Sequence, residues 1–143
     1  MRRPLADGYE LDDDLSRVDV AALHAALQGT YWAAGRPLAE VERLVRGATR
    51  VVGLYHDGAL AGYARCVSDG TSFAYLADVI VFAEHRGRGL GVELVREIVE
   101  GGAQAGLRWL LHTADAHDLY AKFGFGTPDA STMERPALRG DDA

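Results

Sequence analysis

Cysteine is nearly absent from this chain: Cys66 stands alone. No disulfide can close within it, and such cysteine usage suits a reducing compartment. Apolar runs long enough to span a bilayer are missing. The N-terminal stretch MRRPLADGYELDDD has basic residues but lacks the apolar centre of a secretory signal. These absences predict a cytoplasmic protein with no membrane partner. Positive charge is also short, with 15 Lys and Arg against 21 Asp and Glu and a net charge of −6. That excludes a general nucleic-acid binder, so any cationic site must be local. The five histidines show no metal-ligand spacing with Cys66 or with clustered carboxylates, and no metal is expected. Repeats, low-complexity segments and linkers are lacking too. The 143 residues fit one compact domain, 1–143.

Ordered elements fill most of what remains. The segment YELDDD (9–14) suits a short edge strand ending in an acidic turn. Residues 16–27 place Val20, Leu23, Ala26 and Leu27 on one helical face, with Ser16 or Asp19 as cap. A second helix is predicted over 37–47, opened by Pro37 and stopped by Gly47. Strands at 49–56 and 59–68 flank Asp57-Gly58, a hairpin signal that Asp69-Gly70 repeats before a third strand at 72–82. This last strand is apolar on both alternate faces, which predicts a central strand covered on each side. A helix over 90–102 leads to a strand at 107–112, so the two flanking strands should run parallel as a βαβ unit. In that helix Leu90, Leu94, Val95, Ile98 and Val99 share a face, and Glu93, Arg96, Glu97 and Glu100 are expected to face away. A short helix over 115–123, a returning strand at 131–138 and a frayed tail at 139–143 complete the reading. The expected fold class is α/β (α+β): a central mixed, mostly antiparallel sheet flanked by helices.

Chemistry concentrates at HRGRGLG (85–91), between the third strand and its helix. Glycines at 87, 89 and 91 permit positive φ and close approach of a ligand to the backbone. The first turn of the following helix has unpaired N–H groups that carry partial positive charge. Arg86 and Arg88 add two guanidinium groups suited to phosphate. Together they form a candidate phosphate cradle. No Gly-Lys-Ser/Thr follows, the glycine spacing is not G-x-G-x-x-G, and the next strand lacks a ribose-binding acid. A tight turn with solvated arginines is the plainer alternative.

VIVFAEHRGRGLG resembles the acetyl-CoA-binding motif of the GNAT N-acetyltransferase superfamily, with Arg86, Gly89 and Gly91 at its three defining positions. A second match runs through Thr113, Ala116, Leu119, Tyr120, Lys122, Phe123, Gly124 and Phe125. The resemblance covers about 16–135 and implies a GNAT fold. It further implies acetyl-CoA as cosubstrate, with its pyrophosphate on backbone N–H groups of Arg86, Gly87, Arg88, Gly89, Leu90 and Gly91. The pantetheine arm would lie along main-chain groups of Val79, Ile80 and Val81, with Thr113, Ala116 and Tyr120 also at the cofactor. The implied activity is acetyl transfer directly to a primary amine of a small molecule or peptide, with a homodimer left open. A non-catalytic acyl-CoA-binding or sensory domain on the same fold is the rival reading, and an interaction module built on the sheet edge is a third.

Tyr120 matches the family's general acid for the departing thiolate. A phenol of pKa about 10 stays protonated at neutral pH and can donate to a thiolate whose acid has pKa about 8.5. Its alternative is packing at a helix–sheet contact. Asp78 interrupts an otherwise apolar strand. It is a candidate for amine recognition or for a base, or else a structural carboxylate bonded to backbone or Arg65. The glutamate that many family members carry on this strand as base is missing, and only Tyr75 offers a nearby ionisable group. Tyr31 and Trp32, between the first two helices, are candidates for the acceptor wall or for anchoring their loop. His112 ends a strand near the expected cleft, and His117 lies one turn before Tyr120.

Overall fold

The structure is a computed structural model that describes residues 1–138. Its strands are β1 (Arg2–Pro4), β2 (Tyr9–Asp12), β3 (Arg50–His56), β4 (Ala59–Ser68), β5 (Phe73–Val81) and β6 (Arg108–Leu110). Its helices are α1 (Val20–Leu27), α2 (Leu38–Arg46), α3 (Leu90–Glu100) and α4 (His117–Ala121). The strands form one sheet in sequence order, antiparallel throughout except for the parallel β5–β6 pair. That is the mixed, mostly antiparallel sheet expected from the sequence.

Local chemistry explains most boundaries. The Asp19 carboxylate accepts from the Ala22 N–H and caps α1. Pro37 precedes α2 with φ −64°, already helical in φ, and Gly47 ends the helix. Asp57 and Gly58 both have positive φ (51° and 83°), the two-residue turn that matches strand twist. At the next turn the Asp69 carboxylate accepts from the Ser72 hydroxyl and from the Ser72 and Thr71 N–H groups, which holds its carboxyl well below the usual range.

Each face of the sheet carries a core. One joins Leu90, Leu94, Val95, Ile98 and Val99 of α3 to Leu54, Ala64, Cys66, Ala74 and Leu76. The other joins Leu23 and Leu27 of α1 and Val41 and Val45 of α2 to Val51, Tyr55, Tyr63 and Ile80. Leu94 is fully buried, and its truncation to alanine would cost about 2–5 kcal/mol.

Several expectations need correction. No strand forms over 131–138; the segment is irregular and exposed, because residues there lie against the cleft rather than beside a strand with free ladder groups. The predicted edge strand 9–14 is interior: β1 pairs with β2, Arg3 opposite Leu11. β5 contributes to both cores but is covered fully on neither face, with Phe73 exposed and Tyr75, Ala77, Val79 and Val81 half-buried, and it is fifth of six strands, next to the short edge strand β6. Glu97 does not face away. It is buried and paired with Arg50 Nη2 at 3.0 Å and Arg3 Nε at 3.2 Å, two cations that helical periodicity cannot reveal. The first helix starts later than 16, since Leu15–Arg17 form a separate 3-10 turn. The tail expected to fray, 139–143, lies outside the described residues.

Candidate active site

The site begins with a parallel pair that comes apart. β5 and β6 are in register at Phe73–Arg108, Ala74–Trp109 and Tyr75–Leu110, and pair no further. Beyond that point residues 76–79 and 81 of β5 and residues 111–116 after β6 line a cleft of about 1020 Å³. Its remaining walls come from the α1–α2 loop, Glu40 of α2, Gly91 of α3, α4 and residues 134–137.

A bulge in β5 redirects the strand where the cleft opens. Tyr63 pairs with Ile80 and Arg65 with Ala77, so Asp78 and Val79 together oppose Ala64. Asp78 carries the extra residue's strain with φ +54°, rare outside glycine. The bulge also inverts the alternation of side chains. Ala74 and Leu76 face the α3 core, whereas beyond the bulge Ile80 enters the α1–α2 core and Val79 and Val81 turn toward α3.

Asp78 is 6% exposed, and its carboxylate is fully engaged. Arg36 Nη1 donates to both oxygens at 3.0 Å, Arg65 Nε donates at 2.7 Å and the Trp32 indole N–H donates at 3.1 Å. Arg36 and Arg65 are as deeply buried as their partner. Two guanidinium groups on one carboxylate leave excess positive charge; Glu40 lies 4.0 Å from Arg36 and offsets part of it. The Nη2 of Arg36 is buried with no hydrogen-bond partner among the described residues. This cluster fastens the α1–α2 loop to the bulge.

The other lip is held more lightly. Tyr31 is exposed, crosses from the α1–α2 loop and accepts the Ala114 N–H at 2.8 Å. It stacks edge-on against Trp32. The Thr113 hydroxyl accepts the Ala116 N–H at 3.0 Å, closing the turn into α4. Tyr120, on α4, lines the cleft with its ring edge-on to Phe125. Burial pushes its phenol up to about 12, with Tyr31 and Asp115 adding to the effect. The proton stays on Tyr120 across the whole neutral range.

At the C-terminal end of β5 the turn is built for exposure. The Tyr9 hydroxyl and His85 Nδ1 share a 2.7 Å hydrogen bond that pins the start of the turn. Arg86 Nε donates to the Val81 carbonyl at 3.0 Å. Gly87 and Gly89 have φ of 80° and 75°, and a β-carbon at either would meet nothing within 4 Å. Gly89 caps α3 with no side-chain partner for the helix's first N–H groups. Arg86, Gly87, Arg88 and Gly89 are exposed, whereas Leu90 is buried beneath them. Gly91 has ordinary φ and lines the cleft.

The structure thus brings Tyr31, Trp32, Asp78, Val79, Val81, Gly91, Thr113, Ala116 and Tyr120 to one cleft. The Ile80 side chain points away from it, and residues 86–90 lie outside its lining, at the turn. Sequence reasoning missed Arg36, Glu40 and Glu134, which also line it. Arg36 offered a signal, being the one cation in a loop otherwise read for its aromatics.

Comparison with known proteins agrees with this geometry. The model of the acetyltransferase (GNAT) family matches residues 17–125. A solved structure from Xanthomonas campestris pv. campestris, described as an acetyltransferase of the GNAT family, is 38% identical, with TM-score 0.83 over 94% of this chain and 95% of that one. A GNAT family acetyltransferase from Brucella melitensis, solved in complex with acetyl-CoA, shares the fold at 20% identity, with TM-score 0.65 over 83% of each chain. Mycothiol acetyltransferase of Nocardia farcinica (strain IFM 10152) is 45% identical over 60 residues, which are 41% of this chain and 20% of that protein. The match spans about a fifth of that relative's length.

Proposed function

We propose, from the premise that this chain belongs to the GNAT acetyltransferase family, that it transfers an acetyl group from acetyl-CoA directly to a primary amine of a small molecule or peptide. The observation that carries this reading is the parting of β5 from β6, with an exposed glycine- and arginine-rich turn at one end of the gap and a protonated phenol in its wall. The turn fits coenzyme A on its own chemistry: unfilled helix N–H groups, left-handed glycines with open space above them, and two exposed arginines.

Bound acetyl-CoA supplies the thioester that the amine attacks. Residues 86–91 would hold its pyrophosphate, and main-chain groups of Val79, Ile80 and Val81 would align the pantetheine arm. Thr113 and Ala116 shape the turn that carries α4. Tyr120 would donate to the departing sulfur. At about 12 its phenol lies above an ordinary thiol, so complete proton transfer is uphill until the sulfur shares the same desolvation, which raises the thiol as well. Tyr31 and Trp32 would bound the acceptor. Asp78 fits the role of a positioning residue here: with Arg36, Arg65 and Trp32 on its oxygens, it would hold the acceptor wall against the bulge.

The test pairs calorimetric titration with acetyl-CoA against release of free thiol in the presence of primary amines. Micromolar binding with amine-dependent thiol release is expected. Failure to bind acetyl-CoA would overturn the reading, and binding without transfer to any amine would favour a non-catalytic acyl-CoA-binding domain.

A further inference from the structure

The charges in the cleft narrow the acceptor beyond a primary amine. Among the described residues, the charged side chains that line the cleft are Arg36, Glu40, Asp78, Asp115, Glu134 and Arg135. Three of the acids are engaged already. Asp78 is held by Arg36, Arg65 and Trp32. Glu134 contacts Nε2 of His112. Glu40 lies 4.0 Å from Nε of Arg36 and interacts elsewhere as well. One acid and two cations keep capacity. Asp115 and Arg135 are exposed, and neither has a side-chain hydrogen bond or ion pair among the described residues.

Arg36 is the more telling cation. It is 6% exposed, its Nη1 is committed to Asp78, and its Nη2 is buried with no hydrogen-bond partner among the described residues. A buried guanidinium N–H without an acceptor has lost its hydration and gained nothing in return, which native structures seldom leave without a use. Asp78 is shared by two guanidinium groups, so the cluster keeps positive charge that an anion would offset. The open cations and the open acid belong to different walls. Arg36 ends the stretch of the α1–α2 loop that carries Tyr31 and Trp32, the acceptor wall. Asp115 precedes α4, and its charge reaches the Tyr120 phenol, where the thiol leaves and the amine must arrive.

We propose that the acceptor is an amino carboxylic acid, its carboxylate bound by Nη2 of Arg36 with Arg135 adding charge, and its ammonium held by Asp115 beside Tyr120. This rests on the acetyl-transfer reading above and names the substrate class of the same cleft. The carboxylate accepts a charge-assisted hydrogen bond from Arg36, the group that gives this contact its directional preference. Nη2 is closed to solvent, so the carboxylate reaches it through a shift of the exposed Ala34 and Gly35, which line the same cleft. Acetyl transfer then forms the bond from nitrogen to the acetyl carbon and breaks the bond from that carbon to sulfur. The ammonium loses two protons in all: the thiol leaves with one, by way of Tyr120, and water takes the other. The products are an N-acetyl amino acid and the coenzyme A thiol.

The deciding experiment needs no variant. Thiol release from saturating acetyl-CoA is followed with glycine, L-phenylalanine and 6-aminohexanoic acid, each beside its carboxamide, and with spermidine and 2-phenylethylamine as amines that lack a carboxylate. With whichever pair turns over, the acid should exceed its amide in kcat/KM about 10- to 100-fold, chiefly through KM. The amide has the less basic amine, so amine basicity cannot produce that preference. Arg36→Lys should nearly abolish the acid-to-amide ratio while acetyl-CoA affinity holds. Arg135→Ala, on an exposed irregular segment, should lower the ratio about threefold, and it decides the matter if Arg36→Lys does not fold. Asp115→Asn should slow acid and amide alike, since both carry the ammonium. Amides that match or exceed their acids, or transfer to spermidine or 2-phenylethylamine with none to the three acids, would overturn the proposal and leave acetyl transfer intact. Absence of acetyl-CoA binding, or binding without transfer to any amine, would instead sink the functional reading beneath it.

Discussion

The two ends of the β5 segment that lines the cleft are built on opposite principles. At the bulge, Asp78 is buried and both its oxygens are taken by Arg36, Arg65 and Trp32. At the turn after Val81, side chains are sparse, glycines are open to solvent and helix N–H groups lack a side-chain cap. Both places look charged in the sequence, yet they differ in what remains to be satisfied. A saturated buried carboxylate has no capacity left for a ligand and serves to fix geometry. An exposed turn with unfilled donors keeps its capacity for an anion.

The sharpest way to break the comparison is at the buried end. Asp78→Ala leaves two buried guanidinium groups without their carboxylate and should destabilise the protein by about 3–5 kcal/mol in urea unfolding. If Asp78 were a lightly held substrate ligand, stability would hardly change. Asp78→Asn tests the same point more gently. It should loosen Trp32 and the α1–α2 loop, raising the acceptor KM more than it alters acetyl-CoA binding.

Between the two ends stands Tyr120. Tyr120→Phe should lower single-turnover acetyl transfer about 10²-fold with little change in calorimetric acetyl-CoA affinity. Equal loss of both would make it a packing residue for the cofactor. Because burial disfavours the phenolate and lifts the phenol to about 12, transfer should show no alkaline loss from this group below pH 10. The sign for stability follows. The folded value lies above the unfolded one, so this group's stabilising contribution is intact below about pH 10 and is lost as pH rises toward about 12. Absorbance titration of phenolate, compared with Tyr120→Phe, checks the assignment.

At the exposed end effects should be smaller and should fall on binding. The β-carbon of Gly89→Val would meet nothing within 4 Å, so the expected cost is backbone strain at φ 75°, about 1–2 kcal/mol of stability, together with weakened acetyl-CoA affinity. Unchanged affinity in a folded variant would remove the turn from the site. Arg86→Ala should weaken binding by less than about 1 kcal/mol at low salt and by still less at high salt, since an exposed guanidinium is screened. An affinity loss independent of salt would mean that the Arg86 bond to the Val81 carbonyl shapes the turn instead.

The order of elements was legible because its signals are local. Apolar periodicity marked α3, and the paired positive-φ residues at Asp57 and Gly58 fit their hairpin. The βαβ unit gave the parallel β5–β6 pair. Much of the lining of the candidate site was legible too, since Tyr31, Trp32, Asp78 and Tyr120 line one cleft. Errors cluster where a residue's environment comes from far along the chain. Glu97 fits a polar helical face by spacing, yet Arg3 and Arg50 bury it. Residues 131–138 have strand-like composition but find no strand partner, and Glu134 meets His112 instead.

The sequence by itself determined the strand and helix order between residues 20 and 121, the side-chain-poor cationic turn and the kinship those carry, because each depends on φ preference or side-chain spacing within a few residues. Tertiary structure alone decided that Asp78 sits on a bulge between Arg36 and Arg65, 42 and 13 residues away. It alone joined Tyr75 to His112 across 37 residues and brought residues 134–137 to the cleft. Such meetings depend on where β5 and β6 part and how the loops close over the gap, and no local stretch of chain encodes the distance between two others.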